Sequence, residues 1–217
     1  MPDTLSYAPD SAAVRHLSDA DPTLGALIER VGPIEQPLEG DHYASLASAI
    51  VSQQLSDKAA STIWRRLVTA LSGDLTPEVI LAADETLLRS AGLSRSKASF
   101  LRDLAKRIGN GSLDLTLVAT LPDEDVIAEL LAVKGIGRWT AEMFLIFSLG
   151  RPDVLAVDDS ALRATVGWLY GIGDGASREA VAAIGEAWRP HRTAASLYLW
   201  EGLALRREAA RAGAEES

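Results

Sequence analysis

The chain has 217 residues, a length that suits one large domain or two small lobes. Hydrophobic residues make up 47% of it, so it can bury a core, but no stretch is long and apolar enough to span a bilayer. The absence of cysteine excludes disulfides and cysteine-ligated iron–sulfur clusters, and three scattered histidines argue against a zinc site. The N-terminal residues lack the pattern of a signal peptide, so we expect a cytoplasmic protein, nucleoid-associated in a bacterium, with no membrane partner.

The net charge of −9 is awkward for a nucleic-acid-binding protein, because neutralisation of phosphates drives such binding. Much of the excess negative charge lies in residues 1–41, which contain eight acidic residues and only two arginines. A DNA-binding face must therefore be a local basic patch that is helped by main-chain N–H groups. We expect residues 1–40 to be an acidic segment that packs on a core of residues 41–208, and residues 209–217 to be a frayed tail.

Apolar residues recur every three or four positions almost throughout the chain, and alternating strand patterns are scarce. The sequence therefore predicts an all-α protein. Capping residues such as Ser94 and Ser177 mark helix starts, and glycine and proline mark the loops. The predicted helices, in chain order, span residues 10–17, 22–31, 42–54, 56–71, 76–82, 84–90, 94–109, 123–133, 137–149, 159–169, 177–187 and 190–207.

The most informative segment is residues 131–141, with the sequence LAVKGIGRWTA. It predicts a helix, a glycine hairpin and a second helix, in which Gly135 and Gly137 let the backbone turn tightly and expose its N–H groups. Such N–H groups at the start of a helix make a site for a phosphate. The acidic pair Asp158 and Asp159 then opens a third helix, so the pattern indicates a protein that holds a nucleic-acid backbone and does chemistry beside it.

Three motifs in this part of the chain, VKGIGRWTA at 133–141, GRPD at 150–153 and the acidic pair at 158–159, resemble the helix-hairpin-helix/Gly-Pro-Asp superfamily of DNA glycosylases. Within it, the chain is most similar to the 3-methyladenine DNA glycosylase II branch. Further similar segments lie at 49–60, 92–98 and 188–200, so the resemblance covers about residues 40 to 205. It implies two helical lobes, a helix-hairpin-helix motif and a DNA-binding cleft between the lobes.

The resemblance places the essential aspartate of the family at Asp159. Excision of a base leaves an oxocarbenium-like sugar, which an ionised carboxylate stabilises, and the same carboxylate can orient or deprotonate the attacking water. The competing interpretation is purely structural, because aspartate at a helix start is usually an N-cap. We give Asp158 the cap or a supporting role.

Trp139 distinguishes two kinds of glycosylase within the family. Bifunctional relatives carry at this position a lysine that forms a Schiff base with the sugar and nicks the strand, which tryptophan cannot do. The resemblance also places Trp139 and Trp200 in a base pocket, where an indole face attracts the positive charge of an alkylated purine. For Trp200, packing in the core is an equal alternative. Met143 and Ser160 occupy two further pocket positions that are aromatic in some relatives.

A side chain must fill the gap in the base stack when a nucleotide is flipped out of the duplex. By resemblance Gln54 is this wedge, and Leu55 is the apolar alternative. The resemblance also implies a monovalent cation, Na⁺ or K⁺, held by the main-chain oxygens of Leu131, Val133 and Ile136, and no cofactor for catalysis. The expected contacts to the DNA backbone are Lys134, Gly135, Gly137, Arg138 and Thr140.

We therefore expect a monofunctional, monomeric DNA N-glycosylase of base excision repair. Its partner is double-stranded DNA that contains an alkylated purine of the 3-methyladenine or 7-methylguanine type, and its abasic product passes to downstream repair enzymes. Two alternatives stay open: a glycosylase for deaminated, oxidised or mismatched bases, and a non-catalytic helix-hairpin-helix DNA-binding protein. A small-molecule enzyme or a scaffold protein would also fit the acidic charge.

Overall fold

The computed structural model describes residues 3–215, apart from the side chains of residues 57 and 213–215. Helices dominate it, as the sequence predicts, and none of the described helices is long and apolar enough to cross a membrane. The elements in chain order are β1 Thr4–Tyr7, α1 Ala12–Ala20, α2 Pro22–Val31, β2 Ile34–Pro37, α3 His42–Ser52, α4 Asp57–Ala70, α5 Pro77–Ala82, α6 Glu85–Ser90, α7 Arg95–Gly109, α8 Leu115–Val118, α9 Asp123–Leu131, α10 Arg138–Phe147, α11 Ser160–Leu169, α12 Arg178–Gly185, the 3₁₀ turn Glu186–Trp188 and α13 Arg192–Glu215.

The structure differs from the sequence prediction at both ends of the chain. Strands β1 and β2 pair antiparallel, with Thr4 opposite Pro37 and Tyr7 opposite Ile34, in segments too short to show a clear alternation. The last predicted helix, residues 190–207, is longer in the structure, where α13 runs to Glu215 and includes most of the predicted tail of residues 209–217, whose alanine, arginine and glutamate residues favour helix. Residues 216 and 217 of that predicted tail lie outside the described residues.

The chain divides into two compact units. One unit is Glu39–Leu149, and the other combines the chain up to Leu38 with the chain from Gly150 onwards. The predicted acidic segment of residues 1–40 therefore belongs almost entirely to the same unit as the C-terminal helices, which the sequence did not indicate. In the Glu39–Leu149 unit, α3 packs on α4, α7 and α10, and α9 packs on α10. Fully buried apolar side chains of this unit include Leu46, Ile50, Leu67, Leu101, Leu104 and Leu130.

Asp21 ties the N-terminal helices to the C-terminal part of their unit. Its Oδ1 atom caps α2 by accepting the N–H groups of Thr23 and Leu24 at 3.1 and 3.0 Å. Its Oδ2 atom accepts the Tyr170 hydroxyl at 2.5 Å and the indole N–H of Trp188 at 2.9 Å. Burial, together with the charge and hydrogen bond of Asp21, raises the pKa of the Tyr170 hydroxyl. One carboxylate thus serves both a helix start and a contact between distant parts of the chain.

We expect Asp21→Ala to lower the free energy of unfolding by about 2–4 kcal/mol, because α2 loses its cap and two polar groups lose their acceptor. Thermal and urea unfolding followed by circular dichroism measure this loss. The matched control is Asp19→Ala, which removes the same charge from an exposed side chain and should leave the melting temperature within about 2 °C. An equal loss in both variants would contradict the role given to the hydrogen bonds.

Candidate active site

The chain between α9 and α10 forms the predicted hairpin. Val133 and Ile136 are buried, and the Ile136 N–H donates to the Val133 carbonyl at 3.2 Å. Gly135 has a φ of +83°, and a Cβ atom there would lie 2.2 Å from the ring of Phe100. A side chain at Gly135 is therefore excluded twice, by the backbone conformation and by the neighbouring ring.

Gly137 differs from Gly135, although the sequence assigned both to the tight turn. Its φ of −100° is accessible to any residue, and a Cβ atom there would meet nothing within 4 Å. It is the N-cap of α10 and, having no side chain, cannot cap the N–H groups of the first turn. The packing of the described residues thus gives no reason for glycine at this position, whereas an approaching phosphate would.

The predicted backbone-binding side chains have different surroundings. Lys134 is exposed, whereas Thr140 is only 4% exposed, so the Thr140 side chain is not available to a phosphate. The Arg138 guanidinium binds both carboxylate oxygens of Glu124 at 2.6 and 3.1 Å and the buried carboxylate of Glu142 at 3.1 Å. The hydrogen bonds that Arg138 donates to Glu124, together with the charges of both carboxylates, raise the pKa of Arg138. A phosphate would have to compete with these partners.

Two side chains from elsewhere in the sequence hold the hairpin. The Gln53 amide donates to the Gly135 carbonyl at 2.7 Å, and the Asp103 carboxylate accepts the Lys134 N–H at 2.9 Å. Burial favours the protonated form of Asp103, but this N–H and the Arg107 guanidinium hold the pKa of the carboxyl below its usual range. The sequence analysis missed both contacts, since the partners lie far apart in the chain.

A cavity of about 610 Å³ lies within the Glu39–Leu149 unit, in the size range of ligand pockets. Helix α10 contributes Trp139, Met143 and Phe147, which are spaced four residues apart and share one helix face. The indole of Trp139 is 41% exposed, so it does not fill the core. The remaining lining residues are Glu39, Ser45, Leu46, Ser48, Ala49, Ser52, Gln53, Gln54, Leu55, Thr140 and Phe144.

The two predicted wedge residues line this cavity and lie in the turn between α3 and α4. Gln54 is exposed and has a φ of +56°, which is uncommon for a residue other than glycine. Such backbone strain is concentrated at functional sites. Leu55 is 37% exposed, and its N–H donates to the Ser52 carbonyl. The structure thus presents both side chains on a constrained, exposed turn.

Asp159 is the N-cap of α11 and lies in the other unit. Its Oδ1 atom accepts the Leu162 N–H at 2.7 Å and the indole N–H of Trp200 at 3.0 Å. The Asp159 carboxylate therefore does cap the helix. The same two hydrogen bonds fix its orientation, which a catalytic role would also need. Trp200 orients this carboxylate, and the exposed Ser160 follows as the first residue of α11. The predicted pocket set is thus divided, with Trp139 and Met143 in one unit and Trp200 and Ser160 in the other.

The acidic pair separates into two roles. Asp158 forms an ion pair with Arg178, so Asp159 alone is the cap. The preceding loop is anchored by Asp153, whose carboxylate binds Arg192 at 2.8 and 3.0 Å and Arg189 at 2.9 Å. Although burial alone would raise it, the pKa of Asp153 lies below its usual range because of these arginines. The sequence shows Asp153 only as part of the GRPD motif and does not indicate this anchoring role.

With this geometry, the comparisons with known proteins define the class of protein. The family model for HhH-GPD superfamily base excision DNA repair proteins matches residues 47–190, and the chain belongs to this superfamily. The match contains the hairpin, the turn of Gln54 and Leu55 between α3 and α4 (the wedge turn) and Asp159. It confirms the resemblance inferred from the motifs.

Within this superfamily, the relatives and solved structures to which the chain is similar include 3-methyladenine DNA glycosylases. DNA-3-methyladenine glycosylase 1 of Schizosaccharomyces pombe is 35% identical over 192 residues, which cover 86% of this chain and 84% of the relative. A crystal structure of a DNA-3-methyladenine glycosidase from Bacillus halodurans has a TM-score of 0.85 and 40% identity, with 94% of both chains covered. The Schizosaccharomyces pombe enzyme Mag1, in complex with abasic DNA, has a TM-score of 0.81 and 35% identity over 88% of this chain and 96% of Mag1.

We expect Gly135→Ala to lower the free energy of unfolding by about 3 kcal/mol, from the unfavourable φ and the overlap with Phe100. The matched control is Gly111→Ala, since Gly111 has a φ of +73° but a Cβ atom there would meet nothing within 4 Å. That control should cost about 1 kcal/mol. Chemical denaturation of both variants measures the difference, and equal losses would show that the Phe100 ring moves aside.

Proposed function

We propose that this protein is a monofunctional DNA glycosylase of base excision repair. It flips an alkylated purine of the 3-methyladenine or 7-methylguanine type out of duplex DNA and hydrolyses the N-glycosidic bond, leaving an abasic site. The observation that carries the proposal is the Asp159 carboxylate, which lies within the family match and is oriented by the Leu162 N–H and the Trp200 indole. The names of the relatives, and the abasic DNA bound to one of them, support it.

The chemistry follows from the charge of the substrate. Alkylation at N3 or N7 gives the base a formal positive charge, so when the bond from C1′ to the base breaks, the bonding electrons neutralise the departing base. The positive charge moves to the sugar, where the ionised Asp159 stabilises it. A water oxygen then bonds to C1′ and the water releases a proton, which completes the abasic sugar. A base that leaves neutral needs little acid catalysis.

The cavity that is lined by Trp139 and Met143 receives the flipped base. A cationic base over an indole face is attracted by the ring quadrupole. Gln54 and Leu55, on their exposed turn, fill the gap that the base leaves in the stack. Because Trp139 stands where bifunctional relatives carry a lysine, no Schiff base forms and the strand stays intact.

The hairpin also suits a monovalent cation, Na⁺ or K⁺. The Leu131 carbonyl ends α9, at the negative end of the helix dipole, and the Val133 and Ile136 carbonyls follow in the turn. Main-chain oxygens are hard donors that fit such an ion. The ion would stiffen the turn beside the phosphate-binding N–H groups, while the excision reaction itself uses no cofactor.

We expect Asp159→Asn to reduce excision of 7-methylguanine from duplex DNA at least about a hundredfold, because the sugar cation loses its counter-charge. Asparagine is as good an N-cap as aspartate, so folding and DNA affinity should be kept. Abasic sites revealed by hot alkali measure turnover, and gel shifts measure binding.

The matched control for this experiment is Asp158→Asn, which removes the neighbouring charge and should change turnover less than about threefold. Equal turnover by Asp159→Asn and the unmodified protein would contradict the catalytic assignment. Unmodified protein that binds DNA but releases no base would favour the second candidate, a non-catalytic DNA-binding protein in which Asp159 only caps α11.

Gly137→Ala tests the phosphate site. A methyl group there should weaken binding to a duplex with an abasic-site analogue about tenfold, because it keeps the phosphate from the N–H groups of α10. The melting temperature should not fall, since the position has room and an ordinary φ. Fluorescence anisotropy measures the affinity, and Gly175→Ala, also with room for a Cβ atom, is the control. Unchanged affinity of Gly137→Ala would place the phosphate elsewhere.

A further inference from the structure

Glu39 lines the same cavity as Trp139 and is the one charged residue among the described residues of its lining. The other lining side chains are aromatic, aliphatic, hydroxyl or amide groups and the thioether of Met143. No cation among these residues balances the Glu39 carboxylate. The one formal charge on the cavity wall is therefore negative, which is unexpected in a protein that must hold polyanionic DNA.

The main chain fixes Glu39 at the end of α10. Its N–H donates to the Phe147 carbonyl at 2.9 Å, and its carbonyl accepts the Ser148 hydroxyl at 3.1 Å. Ser148 is in turn 2.8 Å from Nδ1 of His42. The carboxylate thus starts from an anchored backbone beside the C-terminus of a helix, which itself carries partial negative charge.

Charge separates two groups of damaged bases. A purine alkylated at N3 or N7 is positive while it is attached to the sugar, whereas deaminated bases such as hypoxanthine are neutral. The exposed Glu39 carboxylate would attract a cation only weakly in water, but a base in the cavity displaces water and strengthens the attraction. A neutral base gains nothing from it and leaves the carboxylate partly desolvated.

We propose that Glu39 is a specificity-determining residue that selects positively charged bases over neutral ones. This inference rests on the proposed function and adds a substrate class to it. Trp139 supplies a surface that accepts many flat bases, and Glu39 supplies the discrimination by charge.

The test compares two small ligands that cannot be cleaved, 7,9-dimethyladeninium, a permanent cation, and the neutral 9-methyladenine. Quenching of tryptophan fluorescence, to which Trp139 in the cavity contributes, measures both affinities without any need for turnover. Unmodified protein should prefer the cation. Glu39→Gln, which keeps the size of the side chain, should weaken binding of the cation roughly five- to tenfold and binding of the neutral base less than about twofold.

Asp41→Asn is the matched control, because Asp41 is outside the lining of the cavity and caps α3 through the Ala44 N–H, which asparagine can also do. It should leave both affinities unchanged. Equal affinity of the unmodified protein for both ligands, or equal losses in Glu39→Gln, would overturn the inference.

A second arm separates this inference from the proposed function. Single-turnover excision of 7-methylguanine from a duplex should fall in Glu39→Gln by the same factor as the binding of the cation. If the unmodified protein prefers the cation but excises no base, the proposed function is contradicted, whereas the charge selectivity of the cavity is still supported. Excision that is unaffected by Glu39→Gln would overturn the role of Glu39 in the reaction.

Discussion

The candidate site depends on one backbone constraint, the turn at Gly135. A φ of +83° beside the Phe100 ring reverses the chain between α9 and α10, and only glycine can occupy that position. The Gly135 carbonyl is then held by Gln53, so the wedge turn and the hairpin are joined by one hydrogen bond of 2.7 Å. Helix α10, which starts at this turn, places Trp139 in the wall of the cavity. The residues proposed to meet the phosphate, the base and the base stack thus depend on one local geometry.

The acidic composition has a structural explanation that reconciles it with DNA binding. Many carboxylates cap helices and so are used within the fold, as are the side chains of Asp21, Asp41, Asp84, Asp114 and Asp159. Others pair with arginines, as Asp153 does. Asp159 and Glu39 are proposed to act on the substrate, which is positive at the base, and on the transition state, which is positive at the sugar. The net charge of −9 is therefore not evidence against an enzyme of this kind.

Most helices were predictable because the apolar period and the cap of a helix lie within one short stretch of sequence, whereas the single turn α8 was not predicted. Ser94 and Ser177 are caps as expected, and the hairpin motif located the turn. The strands β1 and β2 were not predictable, since four residues are too few to show an alternating pattern. The two strands are also separated in the sequence by α1 and α2. Contacts between distant residues, such as that of Asp21 with Trp188, leave no local signal.

The same limit applies to the site itself. Motifs surround Trp139, Gln54 and Asp159, so the sequence could propose them as site residues. Glu39, Phe147 and Asp103 lie in no motif, and only the folded chain brings them next to the candidate site. The split of the predicted pocket residues between two units is another result of folding that spacing along the chain does not encode.

The central claim is a hydrolytic excision in which no lysine attacks the sugar. The most direct measurement incubates the protein with a duplex that contains one 7-methylguanine and divides the sample between hot alkali and borohydride. The account predicts strand breaks only after alkali and no covalent adduct with borohydride. Strand breaks without alkali, or a trapped adduct between protein and DNA, would contradict it, because either would show that an amine forms a Schiff base despite Trp139.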